Sequence, residues 1–212
     1  MDLQLISEKL QAGKARDVKK LVQQAIDEGI PANDILEKGL LSGMDKVGEK
    51  FQKEEIFLPE VLMSARAMNM GAALLKPLLQ EEGVEAKGKV CLATVRGDIH
   101  DIGKNLCKMM MEGKGLEVID LGVDADPEVI VQTAIDENCR IIACSALLTT
   151  TMESMKDVVA ARDRLGYKDK IYIMIGGAPV TEAYAKEIGA DLYTKDAASC
   201  ADEAVRLCQQ GL

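Results

Sequence analysis

One histidine occurs in the chain, His100, and an aspartate, Asp98, stands two residues before it. In an extended loop, side chains at i and i+2 project the same way, so the Asp98 carboxylate can reach a ring nitrogen of His100. A carboxylate behind a histidine fixes its tautomer and makes the other ring nitrogen the better ligand. One histidine cannot hold a bare metal ion, but it can serve as an axial ligand to a metal that a macrocycle already carries. The plainer alternative is a loop histidine with its hydrogen bonds satisfied and an aspartate that caps the following helix.

Other chemistries that such a loop could host fail on spacing. Gly97 to Lys104 resembles a phosphate loop, but five residues separate Gly97 from Gly103 where four are needed, and Asn105 replaces the Ser or Thr that would hold magnesium. No G-x-G-x-x-G follows the preceding apolar run, so the nicotinamide fingerprint is missing. A phospho-receiver domain needs an aspartate after its third strand, where this chain carries Ser145. There is no G-x-S-x-G elbow, and no nucleophile stands near the histidine to suggest a triad. Six cysteines (Cys91, Cys107, Cys139, Cys144, Cys200, Cys208) form no C-x-x-C pair and mostly sit in apolar runs. They read as buried thiols of a reducing compartment, not as a zinc site.

The elements that must position this loop fall into two halves. Residues 1–80 predict helices only: Leu3, Ile6 and Leu10, then Val18, Leu21, Val22, Ala25 and Ile26, recur at helical spacing. Gly13 and Gly29 predict stops, and Pro31 with Asn33 and Asp34 a new start. A third helix is expected over about 32–48, where Gly39, Gly43 and Gly48 would let another backbone approach. Pro59 suits the first turn of a fourth, which carries Val61, Leu62, Ala65, Met68, Ala72 and Leu75 inward. Four helices with short connections predict an antiparallel bundle. Residues 81–89 read as a polar linker.

From residue 90 to 212 the pattern changes to alternating strands, near 90–95, 117–120, 140–144, 171–175 and 191–193, and helices, near 103–113, 127–138, 151–165, 180–188 and 197–209. Apolar runs such as Ile141-Ile142-Ala143 suit strands buried on both faces. The expectation is an α/β fold with a five-stranded parallel sheet, flavodoxin-like or Rossmann-like, whose ligand sits at the carboxyl ends of the strands. Three stretches fall there: the His100 loop, 145–151 and 176–179. A net charge of −9 argues against nucleic acid and anionic membrane surfaces as partners. The sequence shows no basic-then-apolar leader, which predicts a cytoplasmic protein.

The stretch from Gly97 to Asn105 closely resembles the D-x-H-x-x-G signature of cobalamin-binding domains, in the version found in methionine synthase and in the small corrinoid proteins of methyl-transfer systems. Ser145-Ala146-Leu147 is similar to the S-x-L signature, and Gly176-Gly177 to the GG turn. Val47-Gly48-Glu49-Lys50-Phe51 and Phe57-Leu58-Pro59-Glu60-Val61 resemble the helical cap of that family, so the resemblance spans essentially the full chain. It implies cobalamin as cofactor, with His100 as the lower axial ligand of cobalt and Asp98 as its hydrogen-bond partner. Thr151 matches the hydroxyl further along that relay, where relatives more often carry serine; the alternative is a helix N-cap.

The resemblance also implies that Gly97, Ile99, Asp101, Ile102 and Gly103 line the loop beneath the corrin. Ser145, Leu147 and Thr149 would border the tunnel of the displaced nucleotide tail. Gly176 and Gly177 would form the turn the tail passes, with a plain tight turn as the alternative. Phe51 and Leu58 would cover the methyl-bearing face, with helical-bundle core as the alternative for Phe51 and Phe57.

The function so implied is a corrinoid methyl carrier, not a catalyst by itself. It would accept a methyl group on cobalt(I) from a substrate-specific methyltransferase, exist as methylcobalamin when loaded, and pass the methyl to a second methyltransferase that uses tetrahydrofolate or coenzyme M. A reductive activase would be a third partner. A cobalamin-dependent sensor and the small subunit of an adenosylcobalamin mutase are the competing readings, and the methyl donor is left open.

Overall fold

The computed structural model describes residues 2–210. The chain divides into two units: one runs to Ala86 and includes Gly113–Gly115, and the other comprises Lys87–Glu112 and the chain from Leu116 on.

In the first unit, α1 (Gln4–Gln11) and α2 (Ala15–Asp27) are followed by α3 (Ala32–Asp34), a π-helical segment over Ile35–Leu41, α4 (Ser42–Gln52) and α5 (Leu58–Glu81). The predicted stops hold: Gly13 and Gly29 have φ of +66° and +75°, values that glycine adopts without steric cost. The third helix departs from its expected span. It is one continuous rod from Ala32 to Gln52, with a wider π-helical stretch inside it. Gly48 lies buried within that rod instead of ending it, because burial of its face outweighs glycine's poor helix propensity. Gly39 and Gly43 do lie close to α1. A Cβ on Gly39 would sit 3.3 Å from the Ile6 side chain, and one on Gly43 3.2 Å from the Ser7 backbone. Ile6, Leu10, Val18, Val22, Leu40, Met44, Val61 and Leu75 form the buried interior. At the start of α5, Pro59 occupies the first turn and the Glu60 carboxylate accepts the Phe57 N–H at 3.1 Å. Phe57 itself is 66% exposed, so it is not bundle core; Phe51, in the last turn of α4, is half-buried.

The second unit alternates β1 (Lys89–Thr94), α6 (Ile102–Glu112), β2 (Glu117–Asp120), α7 (Pro127–Asp136), β3 (Ile141–Ser145), α8 (Glu153–Arg164), β4 (Tyr172–Gly176), α9 (Glu182–Ile188), β5 (Leu192–Tyr193) and α10 (Ala197–Gln209). All pairings are parallel, in the order β2-β1-β3-β4-β5, which is the flavodoxin-like one of the two expected arrangements. Cys91, Ala93, Ile142, Cys144, Ile173 and Ile175 face one side, where Ile130, Val131, Met155, Val158 and Val159 from α7 and α8 cover them. Val90, Leu92, Ile141, Ala143 and Met174 are buried as well, which the two-residue period of a strand places on the opposite face. The helix starts are capped as their sequences suggest: Asp126 accepts from Glu128 N–H, Thr181 from Tyr184 N–H and Asp196 from Ser199 N–H. Among the described residues no helix is long and apolar enough to cross a membrane.

Candidate functional site

In the order β2-β1-β3-β4-β5 the direction in which successive strands are added reverses between β1 and β3, and the crevice outside that parallel pair is where open α/β sheets bind ligands. The His100 loop leaves β1 there. It begins with a tight turn in which Asp98 N–H donates to the Val95 carbonyl at 3.1 Å. Gly97 takes the third position of that turn with φ +84°, a conformation that favours glycine.

The turn drives the Asp98 side chain inward until it is completely buried. One carboxylate oxygen accepts the His100 backbone N–H at 3.0 Å and lies 2.7 Å from His100 Nδ1. The other accepts the Thr151 hydroxyl at 2.7 Å and the N–H groups of Leu147 and Leu148 at 2.8 and 3.3 Å. Burial works to raise the pKa of this acid. The hydrogen bonds from Thr151, from the Leu147 and His100 amides and from the His100 ring outweigh burial, and hold the carboxyl well below the usual carboxylate range. A carboxylate can only accept, so Nδ1 of the neutral histidine must carry the proton. Nε2 is then left with a free lone pair on a ring that is 47% exposed.

The stretch around His100 and the loop that binds Asp98 carry exposed apolar side chains. Ile99 and Ile102 are 74% and 72% exposed, and Leu147 and Leu148 from the loop after β3 are both 44% exposed. No heavy atom lies within 4 Å of where a Cβ on Gly103 would project. Asp101 starts α6, with its carbonyl accepting the Asn105 N–H and its carboxylate the Asn105 amide. Among the described residues no group of three or more His, Cys, Asp or Glu side chains could hold a bare metal ion. A single half-exposed imidazole held at Nδ1 suits a metal carried by a macrocycle.

The adjoining strand ends bring most of the remaining candidates together. Ser145 Oγ lies 2.8 Å from Thr94 Oγ1, and Thr149 is exposed in the same loop as Leu147. Gly177 has φ +133°, and a Cβ there would run into the Ala146 carbonyl oxygen; one on Gly176 would sit 3.2 Å from the Thr194 carbonyl. Backbone passes backbone at this turn, so glycine is required by packing alone. Thr151 is not the N-cap of α8, which starts at Glu153 with no side-chain cap; its hydroxyl lies 2.7 Å from the Asp98 carboxylate and 2.9 Å from the Leu148 carbonyl. Phe51 and Leu58 belong to the helical unit, where both are half-buried.

Several contributors escaped the sequence reading. Thr94 is fully buried and donates to the His100 carbonyl at 2.9 Å. Asp124 reaches back to Gly97 and Asp98 from the loop after β2. Lys104, 3% exposed, is bound to both Asp120 oxygens at 2.7 and 2.8 Å. That pairing leaves no free ammonium for a phosphate and explains why the loop only looks like a phosphate cradle. A threonine ending a strand and an aspartate in a Gly-x-Asp loop carry no local signal of these roles. All six cysteines are free thiols, and burial pushes Cys91 up to about 12 and Cys139 up to about 11, too high for reactive thiolates.

Family models, relatives and solved structures match the chain over nearly its full length. Residues 88–204 match the B12 binding domain, and residues 3–76 match a second domain also described as a B12 binding domain. A corrinoid protein from Desulfitobacterium hafniense is 40% identical over 99% of this chain and 98% of its own length. The dimethylamine corrinoid protein of Methanosarcina barkeri is 39% identical over 97% of this chain and 96% of its own. A chain in the crystal structure of the methanol:cobalamin methyltransferase complex MtaBC from Methanosarcina barkeri superposes with a TM-score of 0.86 at 30% identity, covering 97% of this chain and 79% of that one.

Proposed function

The chain belongs to the B12-binding domain family, and from that premise we infer that it is a corrinoid methyl carrier of a methyltransferase system. Its cofactor is cobalamin, and its partners are methyltransferases. The observation that carries the reading is the Asp98–His100 pair, with Nδ1 held by a carboxylate at 2.7 Å and the ring half-exposed. The bound corrinoid supplies a cobalt that takes up and gives up a methyl group.

The protein's own residues then have distinct tasks. His100 Nε2 would hold the cobalt, and Asp98 keeps the proton on Nδ1 so that Nε2 presents its lone pair. Thr151 holds Asp98 ionised behind the ring, so a negative charge stands beside His100 Nδ1. Ile99, Ile102, Leu147 and Leu148 would offer the cofactor apolar contact. Gly97, Asp101 and Gly103 shape the loop and the start of α6. Ser145, Thr149, Gly176 and Gly177 would border the nucleotide tail. Phe51 and Leu58 are assigned by resemblance to the covering of the other face. The second methyltransferase, its tetrahydrofolate or coenzyme M acceptor, a reductive activase and a cytoplasmic location complete the proposal; six free cysteines are in keeping with a reducing compartment.

The full chain, reconstituted with cobalamin, reduced and methylated with methyl iodide, tests the carrier role. Mixed with tetrahydrofolate or coenzyme M alone, it should keep its methyl group. It should lose the group only when a methyltransferase for that acceptor is added. Rapid demethylation by the acceptor alone would contradict a carrier and favour a self-sufficient enzyme.

A further inference from the structure

Asp124 lies in the loop after β2, exposed, with a left-handed backbone at φ +52°. That conformation is uncommon for residues with a side chain, and Asp and Asn tolerate it better than most. Two contacts account for it. Asp124 Oδ1 accepts the Gly97 N–H at 2.7 Å, and the Asp124 N–H donates to the Asp98 carbonyl at 2.9 Å. One residue therefore grips both flanking peptides of the Gly97–Asp98 segment. The gripping loop is itself tied to β1: Thr94 N–H donates to the Gly122 carbonyl at 2.9 Å, Ala125 N–H to the Thr94 carbonyl at 3.1 Å, and Val95 pairs with Ala125 in a short parallel bridge. The Asp98 carboxylate, by contrast, is held from the other side, by Leu147, Leu148 and Thr151 of the loop after β3.

We propose that Asp124 is a positioning residue for the histidine ligand, a clamp on the Gly97–Asp98 backbone that fixes where Asp98 places the His100 ring. The proposal rests on the reading of His100 as the cobalt ligand. With the Asp124 carboxylate gone, the Gly97 N–H loses its acceptor, and the segment is held only by the Asp124 N–H, its own tight turn and the Asp98 side chain. The carboxylate and the ring bonded to it can then swing as a pair about the β3 side. Asp124 is exposed, so its side chain is no part of the buried core. The left-handed backbone and the acceptor are separable by substitution: Asp124→Asn keeps both, Asp124→Gly keeps only the backbone, and Asp124→Ala keeps neither.

The full-length variants, reconstituted with cobalamin, are compared by absorption spectra that distinguish histidine-on from histidine-off cobalt, and the apo chains by exchange of the Gly97 amide. Asp124→Gly should raise the ratio of histidine-off to histidine-on protein about fivefold, the factor one net hydrogen bond is worth, and should speed Gly97 exchange. Asp124→Asn should stay close to the parent in both, and Asp124→Ala should exceed Asp124→Gly. Circular dichroism should be the same for all. A spectrum and an exchange rate unchanged in Asp124→Gly would overturn the clamp. So would an Asp124→Asn protein as impaired as Asp124→Gly, which would point to charge and not to hydrogen bonding. A parent protein without a histidine-on spectrum would instead overturn the ligand reading beneath it.

Discussion

The Asp98 carboxylate has no contact with solvent, yet it stays ionised because it accepts from His100, Thr151 and two backbone amides. Its folded pKa lies below the unfolded value of about 3.9. The stability it contributes is therefore present above about pH 4 and is lost as the pH falls through the folded pKa. Thr151→Val removes one donor without changing the shape of the site. It should cost about 1–3 kcal/mol of apo-protein stability at neutral pH, a difference that shrinks in unfolding titrations carried below about pH 4. A difference independent of pH would mean that the hydroxyl matters for packing, not for the carboxylate. At this level the sequence was informative about the pair itself, since spacing alone places Asp98 beside His100. It was silent on Thr94 and Asp124, whose roles depend on how three strand ends meet.

The turns at those strand ends separate two uses of glycine. Gly177 is confined by backbone: with φ +133° and the Ala146 carbonyl in the way, Gly177→Ala should destabilise the apo protein by about 3 kcal/mol or more, and thermal unfolding would show it. Gly103 meets nothing within 4 Å and opens α6. Gly103→Ala should leave the apo protein as stable or up to about 0.5 kcal/mol more so, while weakening cobalamin binding if the helix start approaches the corrin closely. Unweakened binding in a cobalamin titration would remove Gly103 from the site.

The alternation of strands and helices was legible because short apolar runs mark the strands, and observed strand starts differ from the expected ones by a residue at most. The rod from Ala32 to Gln52 was less legible. Gly48 carries a stop signal, and only tertiary burial tells a buried interior glycine from a terminal one.

Over the whole chain, a helical unit and a flavodoxin-like unit each match a B12 binding domain, and the curated relatives run the same length. If Phe51 and Leu58 of the helical unit shield the methyl-bearing face, Phe51→Ala and Leu58→Ala should speed photolysis of the methyl-loaded protein while leaving its histidine-on spectrum unaltered. Unchanged photolysis would assign both residues to the helical unit's own packing. The function was legible mainly through four short motifs whose order survives in the fold. The methyl donor was not, since the residues that choose it need not lie in this chain.

The sequence also offers a direct way to test the cobalt ligand, because His100 is the only histidine. Protein grown on histidine labelled with heavy nitrogen carries the label in that ring alone. Bound to cobalamin in the cobalt(II) state, it should give an electron paramagnetic resonance spectrum in which each cobalt line splits into a doublet, where unlabelled protein gives a triplet. A triplet that persists in the labelled protein would show that the ligand nitrogen is not from His100 and would contradict the account at its centre.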